Sequence, residues 1–434
     1  MAIGKEGNVK WVDGLRGMAS ILVVITHLAR GFDNILFNPA VTENGEIRFL
    51  QLPYVRVFIQ GRLGVVIFSM VTGYVCALKP IKLSRQGNQE GALASMSKSA
   101  LRRSPRLILP TTIITCITWL LARFGAFTVA NHAPSPWTSG MNPNQSFTDI
   151  GEAFADLVRN IFSTWTRARN AYDPNHWNLL PLLQGSMKVY VFIMATCYLW
   201  PRFRLIAALA MFMYYYISND PFFGMQFFWG VFLADLQNHP TAVEFFANRP
   251  RLARVAAIVC LAIGFTFASL PERNFEWAPW SNSLKNFLSI ILPKDPDYSR
   301  FSSGLGLIFI SLAIHLSPLA KDVLSNRAFL WLGKQSFAVY LLHGPLLRTT
   351  LCWIVFGFNV PPDTQNDKGE VQPGRFPSPS GIKLLICISF WLPFVYAIAV
   401  AWTTYVDPWC ARVTEKMVSK IKEETGEKPL LPAR

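Results

Sequence analysis

The stretch WVDGLRGMASILVVITH, Trp11 to His27, decides how the rest of the chain is read. It opens polar, turns apolar within a few residues, and then carries a histidine inside the apolar run. At 100° per residue the Arg16–His27 separation is about 1100°, roughly 20° past three turns, so on a helix the two share a face about 16 Å apart along the axis. If that helix crosses a bilayer, a surface cation and a mid-membrane imidazole look into one interior. An ionisable residue inside a span is costly and marks a functional site by default.

The whole chain supports a membrane setting. Hydrophobic residues make up 51% of its 434 residues and charged residues only 15%, against about 25% charged in soluble domains. The net charge of +15 raises the question of nucleic acid. Its Lys and Arg, however, sit in short clusters between apolar runs, the pattern of cytoplasmic loops. No nucleic-acid role is expected. The seven cysteines are odd in number, scattered and mostly inside apolar runs. No CxxC or Cys/His spacing points to a metal, and no disulfide framework is implied. The first apolar run is followed by no small-residue cleavage site, which reads as a retained helix.

Runs of roughly 20 apolar residues span a bilayer as helices. By that measure the chain is all-α and polytopic, with spans near 17–37, 57–78, 107–123, 181–200, 203–218, 222–238, 252–270, 301–317, 328–357 and 382–404. An even count places both termini on one side. With both ends cytoplasmic, Lys and Arg on inner segments outnumber those on outer ones by nearly two to one, as the positive-inside rule requires. Residues 1–406 then form the membrane domain, and 407–434 a basic cytoplasmic tail that begins amphipathic and ends disordered. An outer segment, 124–180, is long enough to act as a lid or binding loop and includes a helix near Ile150–Ser163. A second outer loop, Val360 to Ser380, is expected to be mobile. No internal repeat is evident, which counts against a transporter of inverted repeats.

Two clusters could carry chemistry. A lone histidine in an apolar run is more often a core residue bonded to a neighbouring helix. His27 shares its face with Arg16, which sits between Gly14 and Gly17, and a neutral imidazole there can take a proton from an alcohol. The second cluster is LRRSPRLILP, 101–110, where Arg102, Arg103 and Arg106 stand three and four apart and present a guanidinium fork on a helix. Such forks match phosphate oxygens, although basic residues at the inner end of a span also serve as topology anchors. Together the clusters fit a phosphorylated carrier such as coenzyme A, whose pantetheine arm is long enough to reach from Arg16 to His27. Arg30 and Asp33, three apart, most simply neutralise each other. His315 is read as a structural histidine.

DGLRGMASILVVITH, with its Arg-x10-His spacing, resembles the first span of the acyltransferase 3 family of integral membrane proteins. VVIFSMVTGYV (65–75) resembles the family's second span, RRSPRLILP its Arg-x-x-Arg motif, and LGKQSFAVYLLHGPL (332–346) its late "iSYxlYLxHxP" segment. Four motifs in order cover nearly the whole chain. YDPNHWNLLPLLQGSM (172–187) resembles a segment of the fungal members that usually reads Tyr-Asn-Pro-x-x-Trp-Thr-x-Pro-Val-Glu-Phe-Lys/Arg-Gly-Ser. There the family's Glu falls on Leu182 and its Lys/Arg on Gln184, which implies altered acceptor specificity, or a weakened or lost activity.

The resemblance implies transfer of an acyl group, usually acetyl, from an acyl-coenzyme A to a hydroxyl, with the acyl carrier as co-substrate and no permanently bound cofactor. It makes Arg16 and His27 the central pair, His27 the candidate base, and Arg103 and Arg106 residues that hold carrier phosphates or order the cytoplasmic mouth. Asp13, His176, Trp177, Tyr340 and His343 become candidates for the substrate site, although His343, before Gly344-Pro345, could equally bond backbone carbonyls freed by a kink. A small lipophilic metabolite is the expected acceptor and a surface glycan the next. A conduit that moves substrate without making a bond, or a catalytically weakened scaffold, remains open at this level.

Overall fold

The computed structural model describes residues 9–146, 149–365 and 371–424. The longer helices in chain order are α1 (Lys10–Phe32), α2 (Gly61–Arg85), α3 (Gln89–Arg123), α4 (Ile150–Thr166), α5 (Leu179–Thr196), α6 (Pro201–Ile217) and α7 (Gly224–Leu236). They continue as α8 (Pro250–Ala268), α9 (Pro279–Ile291), α10 (Tyr298–Leu316), α11 (Arg327–Leu346), α12 (Gly381–Ala401) and α13 (Asp407–Glu424). Among the described residues the only strands are Thr364–Gln365 and Val371–Gln372, an antiparallel pair in the second outer loop. Of the final run expected to be disordered, 423–434, Glu423 and Glu424 end α13, and 425–434 lie outside the described residues.

Among the described residues eight helices are long and apolar enough to cross a membrane, which makes this an integral, multi-pass protein. The ten-span expectation differs at two places. The segments near 203–218 and 222–238 fold as α6 and α7, of 17 and 13 residues, whereas a crossing takes about 20. The third helix also begins earlier than expected, at Gln89 rather than 107, so the Arg102–Arg106 cluster lies inside a 35-residue helix. The expected helix of the first outer segment is present as α4, whose buried side includes Ala153, Leu157 and Thr164.

Helix α1 is the axis of the bundle. It lies between α2 and α11, while α2 also packs along α7, and α8 pairs with α10. Small residues let these backbones meet closely, as interfaces between membrane helices favour. A Cβ at Gly17 would stand 2.7 Å from the backbone nitrogen of Gly333, and one at Gly73 would collide with the backbone of Phe227. Alanine at either place forces the helices apart. Gly17 therefore acts through packing of α1 against α11, and Gly14 through close approach to the backbone of Leu324 just before it.

After α1 the chain folds over the bundle end as short turns, organised by Arg56. Its guanidinium is buried and donates to the carbonyls of Leu36, Phe37, Asn38 and Gln51 at 3.3–3.4 Å. Burial lowers its pKa to about 10, so it remains charged at neutral pH. Arg56→Met strands those carbonyls, and at roughly 1–3 kcal/mol per unsatisfied buried group it lowers stability by about 3 kcal/mol. Thermal unfolding of the detergent-solubilised protein measures this, and an unchanged midpoint would remove Arg56 from that role.

The pairing expected between Arg30 and Asp33 does not form. Helix α1 ends at Phe32, and Asp33 takes an extended φ of −147° that turns it off the helical face. Arg30 instead binds both oxygens of Glu272 at 2.7 and 2.8 Å, and Asp33 pairs with Arg48 at 3.0 Å. His315 is structural as expected, with Nδ1 on the carbonyl of Ser311 at 2.8 Å. The tail helix α13 packs on α3, where Glu415 pairs with Arg102 and, at 3.2 Å, with Arg106.

Candidate active site

The sequence motifs converge on two cavities that share a wall. The larger, about 610 Å³, is lined by Arg16, Lys79, Arg102, Arg103, Arg106 and Lys334 together with apolar residues of α2 and α5. The smaller, about 280 Å³, is lined by His27, Thr26, Trp137, Trp177 and Arg62 among others. Asn178 and Tyr340 line both. Arg16 and His27 were expected to look into one interior. They share α1 but open into different chambers, because Tyr340 of α11 and Asn178, just before α5, stand between them. The Tyr340 hydroxyl donates to the carbonyl of Asn175 and touches the side chain of Asn178, which fixes this partition.

The geometry around His27 selects its tautomer. His343, fully buried on α11, places Nδ1 3.0 Å from the carbonyl of Val339. A carbonyl only accepts, so that nitrogen carries the proton and His343 Nε2 is a lone pair. His27 Nδ1 lies 2.7 Å from that lone pair and must therefore be the donor. The remaining nitrogen of His27, Nε2, is then unprotonated in the neutral ring, and the ring lines the smaller cavity. The two imidazoles lie within 2° of parallel, and Trp137 stacks on His27 at 5.2 Å between ring centres. His27 is held in the orientation a base requires. His343 thus bonds a backbone carbonyl, although that of Val339 is not one freed by Pro345, and it faces His27 Nδ1.

His176 is positioned by the same logic from the loop before α5. Asn170 Nδ2 donates to its Nδ1 at 3.3 Å, which leaves the proton on Nε2, 3.4 Å from Asp173 Oδ2. Asp173 in turn pairs with Arg348 at 3.1 Å, each side chain 1% exposed. Arg348 also donates to the carbonyls of Met141, Tyr172 and Gly344. Pro345 interrupts α11 just before, and the helix widens into a π-turn over Leu347–Leu351, a distortion common at functional sites. Tyr172 donates to Asp156 at 2.7 Å, and burial together with that carboxylate raises its pKa, so it stays a donor. Gly344 permits the approach, since a Cβ there would collide with Asn175 and Asp173.

The other expected residues fall into place unevenly. Trp177 packs against Phe222 and Phe223 in the wall of the smaller cavity. Arg103 bonds Thr72 at 3.4 Å and lines the larger cavity. Asp13 lines neither chamber and stands 3.7 Å from Arg16, both half-exposed. Leu182, where the resembling family has Glu, lies in the wall of the larger cavity one turn after Asn178. Asp173, Asn178 and Arg348 were not singled out from sequence. The signals present were an arginine inside a predicted span and, for Asp173 and Asn178, their place in the 172–187 segment.

In this helical membrane bundle a histidine relay stands at the junction of a basic chamber and an aromatic-walled one. Residues 9–406 match the acyltransferase-domain family, and the chain belongs to it. It is an acyltransferase of the acyl-coenzyme A-dependent kind. The O-acetyltransferase PaAT-1 of Phomopsis amygdali is 26% identical over 375 residues, 79% of this chain and 73% of the relative. Acyltransferase clz18 of Cochliobolus lunatus is 25% identical over 391 residues, covering 77% of this chain and 81% of the relative. Acyltransferase R4 of a Phoma species is 25% identical over 393 residues, covering 77% and 82%. No solved structure matches the chain.

Proposed function

We propose that the protein transfers an acetyl group from acetyl-coenzyme A to a hydroxyl of a small lipophilic metabolite, with His27 as general base. The single observation that carries this reading is the Val339–His343–His27 relay, which leaves Nε2 of His27 free in a cavity that meets the basic one at Asn178 and Tyr340. The printed name of PaAT-1, an O-acetyltransferase, supports acetyl as the group moved. The basic cavity takes the carrier, its phosphates near Arg102, Arg103 and Arg106 and its thioester toward the partition. The smaller cavity takes the acceptor. Both chain ends are cytoplasmic in this reading, supported by the bias of Lys and Arg, and either eight or ten spans keep the ends together.

The step balances without a further reagent. His27 Nε2 takes the hydroxyl proton as the oxygen bonds to the thioester carbonyl carbon, and the carbon–sulfur bond breaks as the tetrahedral intermediate collapses. The imidazolium then returns its proton to the coenzyme A sulfur, so the products are an ester and the free thiol. Tyr340 and Asn178, at the partition, are the polar groups nearest the developing oxyanion in this arrangement. Membranes containing the protein, labelled acetyl-coenzyme A and a panel of lipophilic alcohols test the reading. Coenzyme A release no higher than in His27→Ala with every alcohol would overturn it.

The carrier assignment has its own signature. Arg103→Glu places a carboxylate in the cavity wall and raises KM for acetyl-coenzyme A by about tenfold, with a smaller change in kcat. Glu415→Gln releases Arg102 and Arg106 from their partner on α13 and lowers that KM severalfold. A KM that rises in Glu415→Gln, or a kcat loss alone in Arg103→Glu, would remove these arginines from carrier binding.

A further inference from the structure

The smaller cavity carries a feature that base catalysis does not use: three arginines belong to its wall, and their carboxylate partners do not. Arg30, Arg62 and Arg300 belong to its wall together with Val23, Val65 and Phe222, and among the described residues that wall holds no carboxylate. Glu272, with a side chain 3% exposed, holds Arg30 on both oxygens and stands 3.3 Å from Arg62 Nε. Asp297 pairs with Arg300 at 3.1 Å and is 3.8 Å from Arg62 Nη1. Three guanidiniums thus share two carboxylates. Arg62 Nη1 is buried with no hydrogen-bond partner among the described residues. Arg300 lies over the ring of Phe222 at 5.1 Å, at the cavity edge.

A purely structural role would tie the segment carrying Glu272 to the bundle. It accounts for Arg30, whose two bonds to Glu272 are complete. Arg62 and Arg300 line the cavity with more donors than Glu272 and Asp297 occupy, and for the mostly buried Arg62 an unpaired cationic donor is costly. Guanidiniums with free donors match carboxylate and other oxyanions. Ligand cavities of this kind use an apolar wall for affinity and a few convergent polar groups for orientation.

We infer that the acceptor carries an anionic group, a carboxylate in the simplest case, which docks on Arg62 and Arg300 while its hydroxyl faces His27. Arg62 is the specificity-determining residue. The inference rests on the reading of this cavity as the acceptor chamber. It narrows the lipophilic acceptor to a hydroxy acid or a similar anionic alcohol.

Two fluorescent probes of matched shape separate the alternatives: 6-(hydroxymethyl)-2-naphthoate and the neutral 6-(hydroxymethyl)-2-naphthamide. Their fluorescence anisotropy is read on the purified full-length protein in neutral detergent. Wild type binds the naphthoate about tenfold more tightly than the amide, as expected for a charge-assisted contact. Arg62→Gln brings the two to near parity with amide binding retained, Arg62→Lys keeps part of the preference, and Arg300→Gln lowers it severalfold. Should Arg62→Gln lose amide binding as well, Arg300→Gln, on a half-exposed side chain, decides. Equal binding of both probes by wild type overturns the inference, as does a preference that survives the deciding variant. The same probes keep the enzymatic reading separate. His27-dependent acetylation of both without an acid preference sinks only the anion site, whereas Arg62-dependent preference without acetylation of either sinks only the acceptor-hydroxyl reading.

Discussion

His27→Ala lowers turnover by about 10²–10³-fold, within the range a positioned general base contributes, and leaves KM for acetyl-coenzyme A within about threefold of wild type. The separation follows from the two chambers. His27 lines the smaller cavity, and the carrier's arginines line the larger. His343 tests the tautomer on which the prediction depends. His343→Gln offers an amide oxygen that still accepts from His27 Nδ1 and loses about tenfold, whereas His343→Leu removes the acceptor and approaches the His27→Ala rate. Free imidazole added to His27→Ala restores part of the turnover, because the truncated side chain leaves room beside Trp137. Indistinguishable rates for the Gln and Leu variants would show that His343 only fills space. A turnover in His27→Ala above a third of wild type would remove His27 as the base.

The parts of this site that were legible in the sequence are those written in short local patterns. Arg16, His27 and the Arg102–Arg106 run each sit in a stretch whose helical spacing can be read directly, and Tyr340 and His343 fall three apart on one helix. Their separation into two chambers was not legible, because it depends on Tyr340 meeting Asn175 and Asn178 across more than 160 residues of chain. Asp173 and Arg348 were missed for the same reason: each is the other's charge partner across 175 residues of chain, a pairing that exists only once Gly344 brings the loop onto α11. Local spacing also misled at Arg30 and Asp33, where a three-residue interval implies a pair only if the helix continues. It stops at Phe32, and both residues turn to distant partners. The hydropathy of α6 and α7 is that of spans, but their lengths are not, since Pro201 starts the first and Asn219-Asp220 break the chain before the second.

Arg348→Met destabilises the protein by about 3–5 kcal/mol, the cost of leaving one partner of a buried pair uncompensated. The variant strands the carboxylate of Asp173, 1% exposed, and deprives the carbonyls of Met141, Tyr172 and Gly344 of their donor. Asp173→Asn costs less, because Arg348 keeps all three carbonyls and the amide oxygen of the new residue can still accept from it. The double variant regains the part of the loss due to the stranded charge, and the two sites couple by about 1–3 kcal/mol in a double-mutant cycle. Thermal unfolding of the solubilised protein gives these values. Turnover adds a second readout, since Asp173 Oδ1 accepts from the backbone nitrogen of Asn175 at 3.2 Å and so holds the loop that presents Asn175 and Asn178 to Tyr340. Loosening that loop opens the partition between the chambers, so Asp173→Asn loses kcat by more than its stability loss alone accounts for at a temperature where the variant is folded. Additive stabilities in the cycle would show that the pair acts independently. An unchanged kcat in folded Asp173→Asn would separate this ion pair from the partition and confine it to holding α11 against the loop.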